Sequence, residues 1–319
     1  MPFQEMPFQE MPSQEMAYRE HVIAAADGTL LSARDYNEGG GLTPAVCLPG
    51  LTRNAKDFET IAPRLAASRR VLALDFRGRG KSGRADPSTY RPDQEAADTL
   101  TVLDRLGVTR FAVIGTSRGG IVAMVMAARA LERMAGVAFN DIGPRIDEQG
   151  LLRIRGYLGA DPHFANWDEA VAALKFTNPG FPALSEAEWL AFARRVYREV
   201  DGRPRADYDP ALSVNFPSAD DIAQGKVPEL WPLFDMLNPL PCLVLRGAHS
   251  DLLSPETMAE MQARHKRLAA ATIPGRGHVP FLDEAESLAA ITDWLAAVDS
   301  DAARPAPPAG SPAGTAPAA

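Results

Sequence analysis

The chain has 319 residues and a mass of 34.3 kDa, which sets a prior of one domain with a sizeable insertion, or two domains. Its 46% hydrophobic and 23% charged residues argue against wholesale disorder and against membrane embedding. A net charge of −8 disfavours nucleic acid as the main partner, because phosphate binding needs a basic face, and two cysteines, Cys47 and Cys242, are too few for a disulfide scaffold or a four-cysteine zinc site.

Residues 1–16 repeat a five-residue unit, MPFQE-MPFQE-MPSQE. The segment lacks a basic start and an apolar run, so it does not read as a secretory signal, and its prolines break any helix. It is expected to be a disordered leader. Strand-like stretches in 17–37 flank Asp27-Gly28, a hairpin turn signal. A short apolar run at 45–48 leads into Pro49-Gly50 and a helical pattern over 54–67. Then come a strand at 71–76, a Gly/Arg loop, a helix over 92–106, a buried strand at 111–114, a helix over 119–131 and a strand at 137–140. Short apolar strands alternating with helices predict a parallel sheet covered on both faces.

The alternation stops after Asn140. Residues 141–238 read as a helical, Pro-broken and aromatic-rich cap or lid inserted after the sixth strand, with Trp231 and Phe234 expected, together with Arg53, to contact substrate. The α/β pattern resumes with strands at 242–245 and 269–273 and helices over 255–267 and 283–298. The core is thus expected at 17–140 and 239–300, and residues 301–319, rich in Ala and Pro from 303 on, as a disordered tail.

The sharpest chemical signal is Gly115-Thr116-Ser117-Arg118-Gly119-Gly120, between a predicted strand and a predicted helix. A nucleophile on such a turn sits in strained backbone, and small residues two places either side let the chains pass. A serine hydroxyl needs a base within hydrogen-bond reach. Of five histidines, His21 lies in the N-terminal hairpin, His163 in the insertion, His249 beside Asp251, and His265 between Arg264 and Lys266 on what reads as a solvated face. His278, in the loop after the last strand, can reach the strand ends and is the expected base. The base needs a carboxylate to hold its tautomer. Asp251 follows the strand at 242–245 and is favoured because it places acid and base on the two final strand loops. Asp141, after the strand at 137–140, is the alternative. The Arg118 N–H is one expected oxyanion donor, and the Leu51 N–H, after the first parallel strand, the other.

On LPGL at 48–51, DFRGRGKSG at 75–83, GTSRGG at 115–120, LRGAHSD at 245–251 and GRGHVPFLDE at 275–284, the chain resembles an α/β-hydrolase-fold enzyme of the lidded serine-hydrolase branch over about residues 17–300. The resemblance implies Ser117 as nucleophile, His278 as base, Asp251 as acid, Leu51 and Arg118 as oxyanion donors, and chemistry without metal or cofactor. Pro49 replaces the His of many relatives, and Thr116-Ser117-Arg118 departs from the commoner His-Ser-Met type, so substrate preference does not carry over. The string GRGKSG at 78–83 imitates a dinucleotide fingerprint, but Arg84-Ala85-Asp86-Pro87 follows where a helix must open. Cys47 and Cys242 fall in strands and read as buried hydrophobes.

The expected function is hydrolysis of a small carboxylic ester or lactone in the cytoplasm, with no nucleic-acid or membrane partner. The alternatives with the same triad are a carbon–carbon bond hydrolase for vinylogous diketones and an enol-lactone hydrolase of aromatic catabolism. A non-catalytic ligand receptor is the alternative from another class. Arg53 and Arg118 are candidates to hold a substrate carboxylate. Oligomeric state and natural substrate are not encoded in any motif.

Overall fold

The computed structural model describes residues 18–302; the repeat of 1–16 and all of the expected tail beyond residue 302 lie outside the described residues. Strands β1 (Arg19–Ala24) and β2 (Leu30–Tyr36) form the expected antiparallel hairpin, with Gly28 at φ 84° and the Asp27 carboxylate accepting from the Thr29 N–H at 3.0 Å. Next come β3 (Leu42–Leu48), α1 (Ile61–Leu65), β4 (Arg69–Leu74), α2 (Pro92–Arg105), β5 (Phe111–Thr116), α3 (Arg118–Ala130) and β6 (Met134–Asn140). The insertion holds α4 (Glu148–Tyr157), α5 (Trp167–Thr177), α6 (Glu186–Val196), a hairpin of β7 (Tyr197–Val200) and β8 (Arg203–Ala206), α7 (Ala219–Ala223) and α8 (Trp231–Asp235). The chain closes with β9 (Cys242–Gly247), α9 (Pro255–Arg264), β10 (Leu268–Ile273) and α10 (Ala285–Ala302).

The sheet has eight strands in the order β1-β2-β4-β3-β5-β6-β9-β10, parallel except at β1–β2 and β2–β4. The fold is therefore an α/β hydrolase fold. Strands β5, β6 and β9 are buried along their whole length, as parallel strands covered on both faces must be. One apolar layer lies between the sheet and α2, α3, α8 and α9, and a second lies beneath α1 and α10. A third, smaller cluster of Phe181, Trp189, Phe192 and neighbours holds α5 and α6 together.

Two expectations change in detail. The helix over 54–67 is broken into a 3-10 turn at Ala55–Phe58 and the short α1. The Asp75 carboxylate captures the Ala55 N–H at 2.7 Å, and Pro63, which cannot donate, is tolerated only because the helix restarts just before it. The insertion is not purely helical. Asp201 and Gly202, at φ 50° and 72°, close the β7–β8 hairpin with the positive φ pair that a tight two-residue turn requires.

The GRGKSG loop opens no helix and is tied down by hydrogen bonds to the residues before it. Asp75 accepts from the Ala55 and Lys81 N–H groups, Ser82 Oγ donates to the Asp75 carbonyl at 2.6 Å, and Arg77 makes a two-pronged contact with Asp98 at 2.6 and 2.8 Å. Cys47 and Cys242 are buried and unpaired, and burial pushes the Cys242 thiol up to about 12. His265 does not occupy a solvated face. It is buried at the end of α9, packs on Phe234, and meets the Leu237 carbonyl through Nε2 at 3.0 Å, while its charged neighbours point outward. Among the described residues no helix is long and apolar enough to cross a membrane.

Candidate active site

Ser117 sits between β5 and α3 at φ 49° and ψ −110°, a strained conformation for a residue with a side chain. Its own N–H is held by the Asn140 carbonyl at 3.0 Å. The flanking glycines are required by close approach: a Cβ on Gly119 would lie 2.1 Å from the Leu48 carbonyl oxygen, and one on Gly115 would lie 2.6 Å from the Gly119 backbone. The strand-to-helix turn can close only without those side chains.

His278 reaches this turn from the loop after β10. Its Nε2 lies 2.8 Å from Ser117 Oγ, and its Nδ1 lies 2.7 Å from Asp141 Oδ2. A carboxylate can only accept here, so Nδ1 carries a proton and Nε2 is free to accept from the serine hydroxyl. Asp141 is fully buried directly after β6, at φ 58°, and its N–H donates to the Leu245 carbonyl at 2.8 Å. Oδ1 accepts from the Gly247 N–H at 2.8 Å and Oδ2 also accepts from Ser250 Oγ at 2.6 Å. Two side-chain donors, His278 and Ser250, and the Gly247 backbone N–H therefore compensate its burial.

The choice of Asp251 as the acid is corrected by this geometry. Asp251 is held by Arg153 of α4, whose Nε and Nη2 donate to its two oxygens at 2.5 and 2.8 Å. Burial alone would raise the Asp251 carboxyl, but the hydrogen-bonded guanidinium outweighs it and holds the group below the usual carboxylate range. The sheet order explains the difference. Asp141 leaves the strand adjacent to that of Ser117, whereas Asp251 follows β9, one strand farther out.

The residues of the loop after β3 border the same space. Gly50 and Leu51 line a cavity of about 270 Å³ together with Ser117 and His278. Arg118 is the first residue of α3, where an N–H has no intrahelical acceptor and the helix dipole favours negative charge. The rest of the wall comes mainly from the insertion: Ile154 of α4, Leu174 of α5, and Phe192 and Val196 of α6, with the Tyr157 and Tyr208 rings.

The other predicted contact residues part ways. Arg53 does line the cavity, but its guanidinium is committed to Asp57 and lies 4.8 Å from the Phe192 ring centroid. The Arg118 side chain turns to Glu95, with Nε to Oε2 at 2.6 Å. Neither arginine presents an uncompensated charge. Trp231 and Phe234 are not at the cavity. They stack edge-on at 5.9 Å on α8, and Phe234 meets Phe139 of β6, so this segment covers the sheet as part of the core. Sequence reading missed Arg153, which spans insertion and core and borders the cavity, and no local motif signals it. His21, Asp35 and Glu38 form a metal-like cluster in the hairpin, yet Asp35 is bound two-pronged by Arg70 and Glu38 by Arg19, which supplies positive charge where a cation would sit.

Comparison with known proteins agrees with the fold. Residues 45–291 match the model described as the alpha/beta hydrolase family. The chain is 35% identical over 249 residues to a 3-hydroxybutyrate-oligomer hydrolase of Cupriavidus necator, covering 76% of this chain and 84% of that one. It is 38% identical over 249 residues to an sn-1-specific diacylglycerol lipase of Xenopus laevis, covering 76% and 75% of the two chains. A crystal structure of an alpha/beta hydrolase from Novosphingobium aromaticivorans superposes with a TM-score of 0.80 at 40% identity, covering 88% of this chain and 98% of that one. With a matching model over most of its length, the chain belongs to the alpha/beta hydrolase family.

Proposed function

We propose that the chain is a serine hydrolase of small aliphatic carboxylic esters or lactones, working through an acyl-enzyme on Ser117. The observation that carries this reading is the continuous relay from Ser117 Oγ through His278 to Asp141, at 2.8 and 2.7 Å, opening onto a cavity. His278 Nε2 takes the hydroxyl proton as Ser117 Oγ bonds to the ester carbonyl carbon. Asp141 stabilises the imidazolium, and the Leu51 and Arg118 N–H groups receive the oxyanion. The imidazolium then protonates the leaving alkoxide. Water, deprotonated by the same Nε2, attacks the acyl-enzyme and releases the acid and the free serine.

The cavity size favours a short acyl group, and its mainly aliphatic and aromatic wall favours an uncharged reacting segment. The arginines at its edge are already paired with Asp57 and Asp251. The Cupriavidus necator relative is named for 3-hydroxybutyrate oligomers, which are linear aliphatic esters, and this supports short hydroxyacyl esters as the first class to try. The test is Ser117→Ala measured on p-nitrophenyl acetate, a hydroxybutyrate dimer ester and a lactone, beside fluorophosphonate labelling. Turnover and labelling should both disappear; stoichiometric labelling of the variant removes Ser117 as nucleophile. Turnover of a vinylogous diketone in preference to every ester replaces the ester reading with carbon–carbon hydrolysis.

A further inference from the structure

A charge cluster lies directly beneath both backbone donors of the proposed oxyanion site. Glu95 of α2 is fully buried, an environment that an acidic helix residue occupies only when its charge is met. One oxygen, Oε2, accepts from Arg118 Nε at 2.6 Å. The other, Oε1, lies 2.9 Å from Nη1 of Arg79, which is also buried. Arg79 in turn donates from Nε to the Leu51 carbonyl at 2.8 Å and from Nη1 to the Arg77 carbonyl at 2.7 Å. One carboxylate thus joins the residue that fixes the Leu51 peptide to the residue that opens α3.

The connection has a geometric consequence. The peptide before Leu51 is pinned by the Gly50 carbonyl, which accepts from the Arg53 N–H at 3.2 Å, and the peptide after it by Arg79. Between two held peptide planes, the Leu51 N–H cannot swing. On the other side, the Arg118 guanidinium is anchored to Glu95 and reaches the Tyr90 carbonyl at 3.3 Å, which holds the first residue of α3 against α2. Both donors are set from one point.

The cluster is a poor device for stability alone. Buried ion pairs generally add little over a hydrophobic replacement of the same volume. This one is also imperfect: the N–H of Arg79 is not aligned with Glu95 Oε1 despite the short distance, and Arg79 Nη2 has no hydrogen-bond partner among the described residues. Such unmatched groups are costly and concentrate where function requires a fixed arrangement.

We propose that Glu95 is a positioning residue for the oxyanion site, holding the Leu51 and Arg118 N–H groups in register through Arg79 and the Arg118 guanidinium. It touches no substrate. The proposal rests on the serine-hydrolase reading above, so Ser117→Ala is run alongside: if that variant keeps turnover, the parent reading fails whatever Glu95 does.

The test is Glu95→Gln, which keeps the shape and removes the charge that binds both arginines. Loss of one oxyanion donor costs about 100–1,000-fold in kcat, and displacement of two donors without their removal is expected to cost about 10–100-fold. KM should stay within about twofold, because the donors are worth most once the oxyanion forms. Affinity for a trifluoromethyl ketone, which forms the tetrahedral oxyanion, should fall by the same factor as kcat, while affinity for the non-fluorinated ketone should hold. A merely structural role would move both ketones and KM together, and that outcome overturns the proposal, as does a kcat within about threefold of wild type. Should Glu95→Gln fail to fold, Arg118→Met removes one arm of the cluster at a side chain that reaches solvent. It is expected to weaken kcat and trifluoromethyl ketone binding in parallel, and equality with wild type in both overturns the assignment.

Discussion

Replacing Asp141 with Asn tests which carboxylate serves the histidine. Oδ1 of Asp141 faces the Gly247 N–H at 2.8 Å, a donor fixed in the backbone at the end of β9. An asparagine must therefore keep its oxygen there and turn its NH₂ toward His278 and Ser250. Ser250 Oγ already accepts from the Leu252 and Leu253 N–H groups at 3.2 and 3.1 Å and merely loses its acceptor; the His278 Nδ1 can accept only by giving up its proton. The proton then sits on Nε2, facing Ser117 Oγ, and the ring can no longer act as base. Holding a catalytic histidine in the wrong tautomer lowers kcat by about 10⁴, or about 5.4 kcal/mol at 1.36 kcal/mol per decade. Asp251→Asn leaves the His278 contacts intact and removes only the anion opposite Arg153, so kcat should change by less than about tenfold. Stopped-flow turnover of p-nitrophenyl acetate and the rate of fluorophosphonate labelling should show the same contrast, with far-UV circular dichroism confirming that both variants fold. A loss of about 10³ or more in Asp251→Asn, with Asp141→Asn within tenfold of wild type, would refute the tautomer argument and return the acid role to Asp251.

Two further variants probe the scaffold. Gly119→Ala places a methyl group 2.1 Å from the Leu48 carbonyl oxygen, a backbone atom with nowhere to go, and should lower the free energy of unfolding by about 3 kcal/mol or more in urea titration; an unchanged midpoint would show that the turn is not tightly packed. His265 is buried as the neutral tautomer, Nε2 meeting the Leu237 carbonyl and Nδ1 accepting the Arg267 N–H, and burial, the main cause, holds it below its ordinary value of 6.5. Because its folded value is depressed, the unfolded chain binds the proton first. The stability it contributes is therefore complete above about pH 6.5 and declines as pH falls toward the folded value. The stability difference between wild type and His265→Gln should shrink between pH 7.5 and 5.5, and a constant difference would contradict the buried neutral state.

The parts of the fold carried by local pattern were readable. Continuous apolar runs marked β5, β6 and β9, and the glycines around Ser117 announced a turn where two backbones touch, so Ser117 and His278, which lie 2.8 Å apart, were both singled out. The parts that were misread depend on which surface an aromatic residue meets. Trp231 and Phe234 have the composition of a lid, but α8 folds back onto α3 and β6, and a pattern of large apolar residues is the same in either place. The Asp201-Gly202 hairpin, by contrast, carried a recognised signal inside a stretch read as helical.

The acid shows the limit most sharply. Asp141 and Asp251 both follow parallel strands, and both stand near His278, with which Asp251 lines a neighbouring hollow. Chain order cannot rank them. What ranks them is the partner each has already taken, and that partner, Arg153, lies on α4, about a hundred residues before Asp251 in an insertion with no motif. A carboxylate bound two-pronged by a guanidinium has its oxygens occupied and its charge neutralised, which makes it a weak stabiliser of an imidazolium. Asp141, supplied with neutral donors alone, keeps its full charge for His278. The same ion pair fastens α4, one wall of the cavity, to the loop after β9. The residue that occupies Asp251 thus also fixes the insertion over Ser117, and the two effects are separable: losing the anchor should raise KM, whereas losing Asp141 should lower kcat.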